Sequence, residues 1–243
     1  MKFIKLFEEQ TAFDEAKSTL NRPNVSLIKT NRNVYSLTEE GGGNANGHSY
    51  VDLGLPSRLK WATMNVGATS ETAYGDYFMW GSTTPNTASE CTWTNAPFNN
   101  GSSSYNETYF SQVKGTVCPN GVLAKEYDAA SHIMGGDWRM PTKAEFDELL
   151  SGTTNEWVTN YKGTGVNGMK FTSKTDTSKY IFIPAADNYD NGSVDDVGKF
   201  GLVWSSSLYT SDSFHAWYLD FDSVYCGMAG NYRYNGQSVR GVL

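Results

Sequence analysis

The stretch from Tyr209 to Asn235 carries the residue types best suited to holding a ligand. Between residues 216 and 223 apolar side chains alternate with tyrosine or aspartate, in the order Ala-Trp-Tyr-Leu-Asp-Phe-Asp-Ser. Because successive side chains of a strand point to opposite faces, this pattern predicts a strand with one face in the core and one in solvent. The predicted core face comprises Trp217, Leu219 and Phe221, and the predicted solvent face comprises Tyr218, Asp220 and Asp222.

The stretches on both sides of this strand are rich in tyrosine, glycine, serine and asparagine. Five of the 15 tyrosines of the chain lie between residues 209 and 234. Tyrosine offers a large contact area at a small cost in conformational entropy, and small polar residues adapt their hydrogen bonds to a partner. This composition is typical of an antibody-like binding surface. The alternative is an ordinary aromatic-rich surface of a β protein.

The histidines and a carboxylate-rich loop give no recognised catalytic or metal pattern. His48, His132 and His215 fall in a predicted linker, a predicted helix and a predicted loop, and no nucleophile motif accompanies them. The segment 187–196 is similar to a calcium loop, but Gly198 stands at the twelfth position, where an EF-hand has glutamate. We therefore expect a binding protein without enzymatic activity or a required cofactor, with calcium as the alternative.

Composition and charge limit the classes of partner and the compartment. The net charge is −7 and no lysine or arginine cluster is present, so the sequence predicts no binding to nucleic acid. The N-terminus lacks the apolar core of a signal peptide, and no apolar run could span a bilayer, which predicts cytoplasmic synthesis and no membrane insertion. Cys91, Cys118 and Cys226 are too few and too far apart for a disulfide framework, although a Cys91–Cys118 bridge stays open.

The elements that must position the binding stretch are predicted from periodicity and turn signals. The composition of 41–47, Gly-Gly-Gly-Asn-Ala-Asn-Gly, indicates a flexible linker between a small lobe of residues 1–40 and a main domain of residues 48–243. The class is α+β with a mostly antiparallel sheet and two helices. The predicted elements are strands at 2–7, 25–28 and 34–37 and a helix at 11–20 in the lobe, then a surface excursion at 82–121, helices at 124–134 and 141–151, and strands at 169–173 and 180–184.

Several motifs of the main domain resemble those of a known family. They are Tyr50-Val-Asp-Leu-Gly-Leu-Pro, Lys60-Trp-Ala-Thr-Met-Asn-Val-Gly-Ala, Tyr74-Gly-Asp-Tyr-Phe-Met-Trp-Gly, Gly135-Gly-Asp-Trp-Arg-Met-Pro and Val203-Trp-Ser-Ser-Ser. They resemble a paralogous domain abundant in Bacteroidetes and fibrobacters. The ending, Arg233-Tyr-Asn-Gly-Gln-Ser-Val-Arg-Gly-Val-Leu, is similar to the terminus of variable proteins made by diversity-generating retroelements. Gly241 stands where that family usually has proline.

This resemblance implies a C-type lectin-like fold, related to that of the formylglycine-generating enzyme, with a small N-terminal α/β appendage. It also implies a variable region, about residues 205–240, in which mutated adenines turn AAC-type codons into NNC codons. NNC codons cannot encode Lys, Glu, Gln, Met or Trp. The positions assigned as variable, none of which holds an excluded type, are Tyr209, Asp212, Phe214, His215, Tyr218, Asp220, Asp222, Tyr225, Ala229, Gly230, Asn231, Tyr232 and Tyr234. We expect the tyrosines and the phenylalanine among them to form one contiguous exposed patch, rimmed by Asp212, Asp220, Asp222 and His215.

The function expected from the resemblance is receptor binding. Such elements are common in gut Bacteroides and their phages, where targets include tail-tip receptor-binding proteins, so the expected location is a phage virion or a cell surface. The expected partner is a protein or glycan receptor on a cell surface, and homo-oligomerisation stays open. The alternatives are a carbohydrate-binding lectin module of fixed specificity and an enzyme of the oxidase lineage. The oxidase lineage requires two C-terminal cysteines, whereas this chain has only Cys226 there.

Overall fold

The computed structural model describes residues 42–190, 192–194, 196–209 and 211–243, together with the backbone of three strands that precede residue 42. The architecture is mixed helix and sheet with mostly antiparallel pairing, which is consistent with the predicted α+β class. The strands are β1 Lys5–Phe7, β2 Val25–Lys29, β3 Tyr35–Glu39, β4 Gly42–Ala45, β5 His48–Asp52, β6 Lys60–Asn65, β7 Thr153–Val158, β8 Gly168–Ser173, β9 Tyr180–Pro184, β10 Asn188–Tyr189, β11 Gly201–Leu208, β12 His215–Phe221, β13 Cys226–Tyr232, β14 Gly236–Gln237 and β15 Arg240–Val242. The α-helices of the described residues are α1 Glu107–Val117, α2 Ala129–Met134 and α3 Lys143–Gly152.

The strands that precede residue 42 pair with one another in the order β1-β3-β2. β2 and β3 form an antiparallel pair in which Leu27 lies opposite Leu37, close to the strands predicted at 25–28 and 34–37. The helix predicted over 11–20 lies outside the described residues. The sequence therefore located these two strands to within a few residues at each end.

The segment 42–47, predicted as part of a flexible linker, instead forms a β-hairpin. β4 pairs with β5 in continuous register, so that Gly42 lies opposite Val51 and Ala45 opposite His48. Asn46 and Gly47 both have positive φ, the conformation of a tight Asn-Gly hairpin turn. The glycine-rich composition concealed this strand, since glycine is rare in strand interiors. His48, placed by the sequence in the linker, lies in β5.

Two hydrophobic cores lie on opposite sides of the sheet β11-β12-β13. Trp204 of β11 and Tyr218 of β12 belong to the first core, which also contains Trp80 and Trp138. Val203 of β11 and Phe221 of β12 belong to the second, which is lined by residues of α3, β8 and β9. This sheet is therefore covered on both faces. The alternating pattern correctly predicted a strand at 216–223, but the face that it assigned to solvent is also buried.

The region 82–121, predicted as a surface excursion, contributes to the interior and contains a helix. Asn106 accepts a hydrogen bond from the Tyr109 amide, which caps the N-terminus of α1. Phe110 and Val117 of α1 are buried in the first core, and Cys91 is buried in a separate small cluster with Met79 and Tyr234. Because only two residues of this helix are buried, its apolar stripe is weak, and its sequence resembles that of a polar loop. The main domain therefore has three α-helices among its described residues, where two were expected.

The helix predicted from a capping box is confirmed. α3 begins after Thr142, whose hydroxyl accepts the Glu145 amide, while the Glu145 carboxylate accepts the Thr142 amide. Arg139 also donates to the Glu145 carboxylate at 2.7 and 2.5 Å. The predicted helix 124–134 is divided into a 3-10 turn, Lys125–Tyr127, and α2, whose N-cap is Asp128. No helix within the described residues is long and apolar enough to cross a membrane.

We predict that Thr142→Ala lowers the free energy of unfolding by about 1 kcal/mol, because the first turn of α3 loses its side-chain acceptor. Thr142→Ser keeps the hydroxyl and should stay within about 0.5 kcal/mol of the wild type. Urea denaturation followed by circular dichroism measures both variants. Equal stabilities for the alanine and serine variants would show that the capping box does not stabilise this helix.

Candidate ligand-binding surface

The stretch 209–235 forms a β-hairpin with its flanking loops. The chain leaves β11, turns through Asp212, and enters β12 at His215, which the sequence had placed in a loop. β12 and β13 pair without a bulge, so that His215 lies opposite Tyr232 and Phe221 opposite Cys226. Asp222 closes the turn between the strands by accepting the amides of residues 224 and 225. The register therefore fixes which predicted positions share a face.

The two faces of β12 do not divide as the alternation predicted. Leu219 and Phe221 are buried in the second core, as predicted. Tyr218, predicted on the solvent face, is only 9% exposed, and its ring packs edge-on against Trp204 at 6.1 Å. Trp217, predicted in the core, is only partly buried, and its ring lies 4.4 Å from that of Tyr209. Tyr218 is buried because the first core covers the face that the pattern assigned to solvent, whereas Trp217 lies near the start of the strand, where its own face is only half covered.

Aromatic rings from the hairpin and from the region 82–121 form one continuous group, here called the aromatic surface. His215 joins Tyr232 at 4.6 Å between ring centroids and Phe214 at 4.3 Å. Phe214 reaches Tyr105 at 5.7 Å, and Tyr105 reaches Trp93 at 5.4 Å. The members of the aromatic surface are Trp93, Tyr105, Tyr209, Phe214, His215, Trp217, Tyr232 and Tyr234.

Exposure varies across the aromatic surface. Tyr232 is 42% exposed and stands at its centre, in contact with four other rings of the group. Tyr234 is only 7% exposed, and its hydroxyl donates to Asp190 at 3.0 Å. Tyr234 thus supports Tyr232 from below, since the two rings stack at 5.6 Å with an interplanar angle of 16°. The prediction that Tyr234 is exposed is wrong.

The guanidinium of Arg233 lies fully buried beneath the aromatic surface. Its carbon stands 4.0 Å from the Phe110 ring centroid and 6.0 Å from that of Trp93. Burial lowers the pKa of this arginine to about 10. Its Nε donates to the Ser213 carbonyl at 2.9 Å and one terminal nitrogen to the Pro97 carbonyl at 3.3 Å. A buried cation thus holds the rings through cation–π contacts and joins the hairpin to the region 82–121.

A second group of predicted residues, here called the acidic end, lies at the turn of the hairpin. It comprises Tyr218, Asp220, Asp222 and Tyr225. Burial and the nearby Asp222 carboxylate raise the pKa of Asp220, while a hydrogen bond from Tyr218 opposes that shift. Tyr225 is 48% exposed, and Val224 beside it is 91% exposed. No ring contact joins Tyr218 or Tyr225 to the aromatic surface within the described residues, so the single patch predicted from the sequence divides into two.

The remaining predicted positions lie on or beside β13, where small residues leave room for tyrosine rings. A side chain at Gly230 would begin 2.7 Å from the Tyr209 ring, and one at Gly227 would begin 2.4 Å from the Tyr225 hydroxyl. Ala229 packs at the margin of the first core. Asn231 uses its side-chain oxygen to accept the Tyr232 amide and the side-chain amide of Asn235. Asp212 binds the Nδ1 atom of His215 at 3.0 Å.

Sequence reasoning missed Trp93, Tyr105 and Trp217 as members of the aromatic surface. Trp93 and Tyr105 lie in a stretch of serine, threonine and asparagine, where large aromatic side chains are out of place unless they pack on something. That contrast was the available signal. Trp217 was assigned to the core because alternation alone cannot tell a half-covered strand end from a buried centre.

The sites considered for metals and redox chemistry do not form in the described residues. Cys91, Cys118 and Cys226 are all unpaired, so the Cys91–Cys118 bridge is absent. Within residues 42–190, 192–194, 196–209 and 211–243 no group of three potential metal ligands comes together. In the segment 187–196, for which calcium was the alternative, the Asp187 carboxylate accepts the amide of Asp196.

A separate cleft of about 710 Å³ opens between the sheet of β5 and β6 and the strand β9. Its wall includes Glu71, Lys179 and Tyr180. Glu71 is engaged by Lys162 in an ion pair of 2.7 Å. None of the residues predicted to bind a ligand lines this cleft, which therefore stands apart from the aromatic surface.

We predict that Tyr218→Ala lowers the free energy of unfolding by about 3 kcal/mol, since it leaves a cavity in the first core. Val224→Ser, at an exposed position of the same hairpin, should change stability by no more than about 0.5 kcal/mol. Thermal and urea denaturation measure both variants. A Tyr218→Ala variant as stable as Val224→Ser would show that the Tyr218 side chain is exposed to solvent and not buried in the first core.

We predict that Asp220→Asn stabilises the protein at pH 7 and not at pH 3. Burial raises the pKa of Asp220 in the folded state, so the folded protein binds more protons than the unfolded chain as pH rises above the ordinary aspartate value of 3.8. Stability is therefore lost as pH rises through that interval, and the neutral amide avoids this loss. Urea denaturation at both pH values checks it. An equal effect at pH 3 and pH 7 would contradict the assigned burial of the carboxylate.

Comparison with known proteins gives no relative: the chain matches no protein-family model, no curated protein and no solved structure. The protein has a mixed α+β architecture, mostly antiparallel, in which one hairpin and the region 82–121 share an aromatic surface.

Proposed function

We propose that the chain is a ligand-binding protein whose aromatic surface captures a receptor on another cell. The observation that carries the proposal is the continuous contact of the rings of the aromatic surface, with Tyr232 open to solvent at their centre. Contiguous exposed apolar surface of this kind marks interaction sites on protein domains. Tyrosine and tryptophan surrounded by other packed rings are the residues that dominate binding energy.

The finer proposal is that retroelement mutagenesis diversifies this surface on a C-type lectin-like fold, at the tail tip of a phage or on a cell surface. Its support is the placement of the candidate positions. Apart from Tyr218 and Tyr234, they are at least partly open to solvent, and all lie in one hairpin and its adjoining loops. The Leu219 and Phe221 side chains between them are buried and hold the hairpin in place. Sequence diversity at the partly exposed candidate positions is therefore compatible with a constant fold.

The DNA beside the gene gives a direct test of diversification. The proposal requires a reverse-transcriptase gene nearby and a near-copy of the DNA that encodes residues 209–234. That copy must carry adenines at the codons of the exposed positions, such as Tyr232 and Asp212, and matching bases at those of Leu219 and Phe221. A neighbourhood with neither the gene nor the copy would leave a surface of fixed specificity.

A lectin of fixed specificity is the second candidate, and one feature favours it. Phe214, Tyr232 and Tyr234 have nearly parallel rings, with interplanar angles of 26° and 16° between successive rings. Of the three, Tyr232 is 42% exposed, and an exposed tyrosine ring offers a surface on which the apolar face of a sugar ring can stack. Binding of the wild type to a glycan array that Tyr232→Ala abolishes, together with the absence of a near-copy of this coding segment in the neighbouring DNA, would favour this candidate.

We predict that Tyr232→Ala weakens binding to receptor-bearing cells by about 2 kcal/mol, roughly 30-fold, because it removes the central exposed ring. Fluorescently labelled protein titrated onto a panel of gut Bacteroides strains measures the affinity. The matched control is Phe200→Ala, which removes an aromatic side chain of similar exposure outside the surface. Strains that bind both variants and the wild type equally well would contradict the proposed function.

A further inference from the structure

The strand β13 lies at the edge of its sheet, whose order is β11-β12-β13. An edge strand carries on its outer side a row of amide and carbonyl groups that can pair with another strand. β13 spans Cys226 to Tyr232 and is paired to β12 over its whole length without a bulge. Its outer side is therefore straight enough to act as a template.

The hydrogen bonds at the two ends of the hairpin show which groups point outward. The Asp222 amide donates to the Tyr225 carbonyl at 2.9 Å, and the Arg233 amide donates to the Phe214 carbonyl at 3.1 Å. Hydrogen-bonded and non-hydrogen-bonded pairs alternate along an antiparallel ladder. Counting inward from both ends gives the same phase. The residues that bond to β12 are Gly227, Ala229 and Asn231, and those that point their amides and carbonyls outward are Cys226, Met228 and Gly230.

The outward groups are open over one part of the strand only. The Tyr232 amide donates to the Asn231 side chain, and the Tyr232 carbonyl accepts the Asn235 amide. For Cys226, Met228 and Gly230, no backbone hydrogen bond to any other described residue lies on the outer side. The open length thus runs from residue 226 to residue 230.

The sequence of the strand lacks the features by which natural strands keep an edge from pairing. Lysine, proline, inward-pointing charges and bulges perform that role, as does a helix or loop that covers the edge. The helix α3 packs against β13 on the face of the second core, to which Cys226 and Met228 contribute. The sequence of β13, Cys-Gly-Met-Ala-Gly-Asn-Tyr, contains no charge and no proline. Its two glycines lie beneath the Tyr225 and Tyr209 side chains, which lean over opposite faces of the strand. These rings provide apolar support for side chains of an added strand on both faces.

We propose that β13 takes up an extended basic segment of a protein ligand as an added strand of the sheet. This inference rests on the proposed function and specifies how the ligand is held. The basic character follows from charge: Asp220 lies directly opposite Gly227, Asp222 adjoins the same end, and the chain carries a net charge of −7. A second copy of the chain would bring the same negative charge, so it is the less suitable occupant.

The first test uses the full-length protein and a displayed library of random seven-residue peptides. Selection on the wild type should enrich basic peptides with alternating apolar residues. When such a peptide binds the isotope-labelled protein, hydrogen exchange at the amides of Cys226, Met228 and Gly230 should slow at least tenfold. The amides of Gly227 and Ala229 are already bonded to β12 and should change little. Failure to enrich any peptide, or protection confined to other residues, overturns the inference.

The second test removes one outward amide. Met228→Pro should lower peptide affinity at least tenfold, because proline has no amide to donate and its ring obstructs an incoming strand. Met228→Ala, which keeps the amide and shortens the same side chain, is the matched control and should bind as the wild type does. Thermal denaturation establishes that both variants fold, and the exchange measurement on the wild type stands independently of them.

The outcomes separate this inference from the proposed function. Equal peptide affinity for Met228→Pro and Met228→Ala overturns strand addition, while loss of cell binding in Tyr232→Ala still supports the aromatic surface. A dimer seen by sedimentation that Met228→Pro dissociates would assign the edge to a second copy and also overturn the inference. Loss of cell binding in Met228→Pro, with Met228→Ala unaffected, supports it.

Discussion

One buried guanidinium holds together the parts of the chain that build the aromatic surface. Arg233 donates from its side chain to the Ser213 and Pro97 carbonyls, its amide donates to the Phe214 carbonyl, and its carbonyl accepts the Trp80 amide. Removing a charge from water is costly, and within the described residues no carboxylate forms an ion pair with this one. The surrounding rings and carbonyls offset part of that cost. The hairpin and the region 82–121 therefore depend on one another, since each supplies part of the enclosure.

The coverage of the sheet β11-β12-β13 on both faces explains where sequence reasoning succeeded and where it failed. The period-two pattern correctly indicated a strand and correctly placed Leu219 and Phe221 in a core. It could not show that Tyr218 meets a second core, because tyrosine is compatible with either environment. Local signals performed well where the determinant was local: the capping box of Thr142 predicted α3. Glycine-rich composition misled at 42–45, where strand pairing with β5 decided the conformation.

The candidate site divides in the same way. The hairpin positions Tyr209, Phe214, His215 and Tyr232 were assigned together as variable positions from the family resemblance, and the structure brings them into contact. The sequence marked Trp93 and Tyr105 as out of place in a polar stretch. It could not show that they contact the hairpin, because that contact joins segments more than a hundred residues apart in the chain, around the Arg233 side chain. The edge position of β13 could not be predicted either, because it depends on the order of strands in the sheet and not on the residues of the strand itself.

The approach of Tyr209 to Gly230 has a consequence for how such a surface can change. A β-carbon at position 230 would overlap the Tyr209 ring, whereas one at position 227 would meet only the hydroxyl end of the exposed Tyr225 side chain, which can move aside. At positions 209 and 230, large and small residues are therefore favoured in combination. A substitution that enlarges 230 becomes acceptable only together with one that shrinks 209, which makes the two sites epistatic. The repertoire accessible to this hairpin is thus smaller than the product of its separate positions, and its successive variants are connected by compensating double changes.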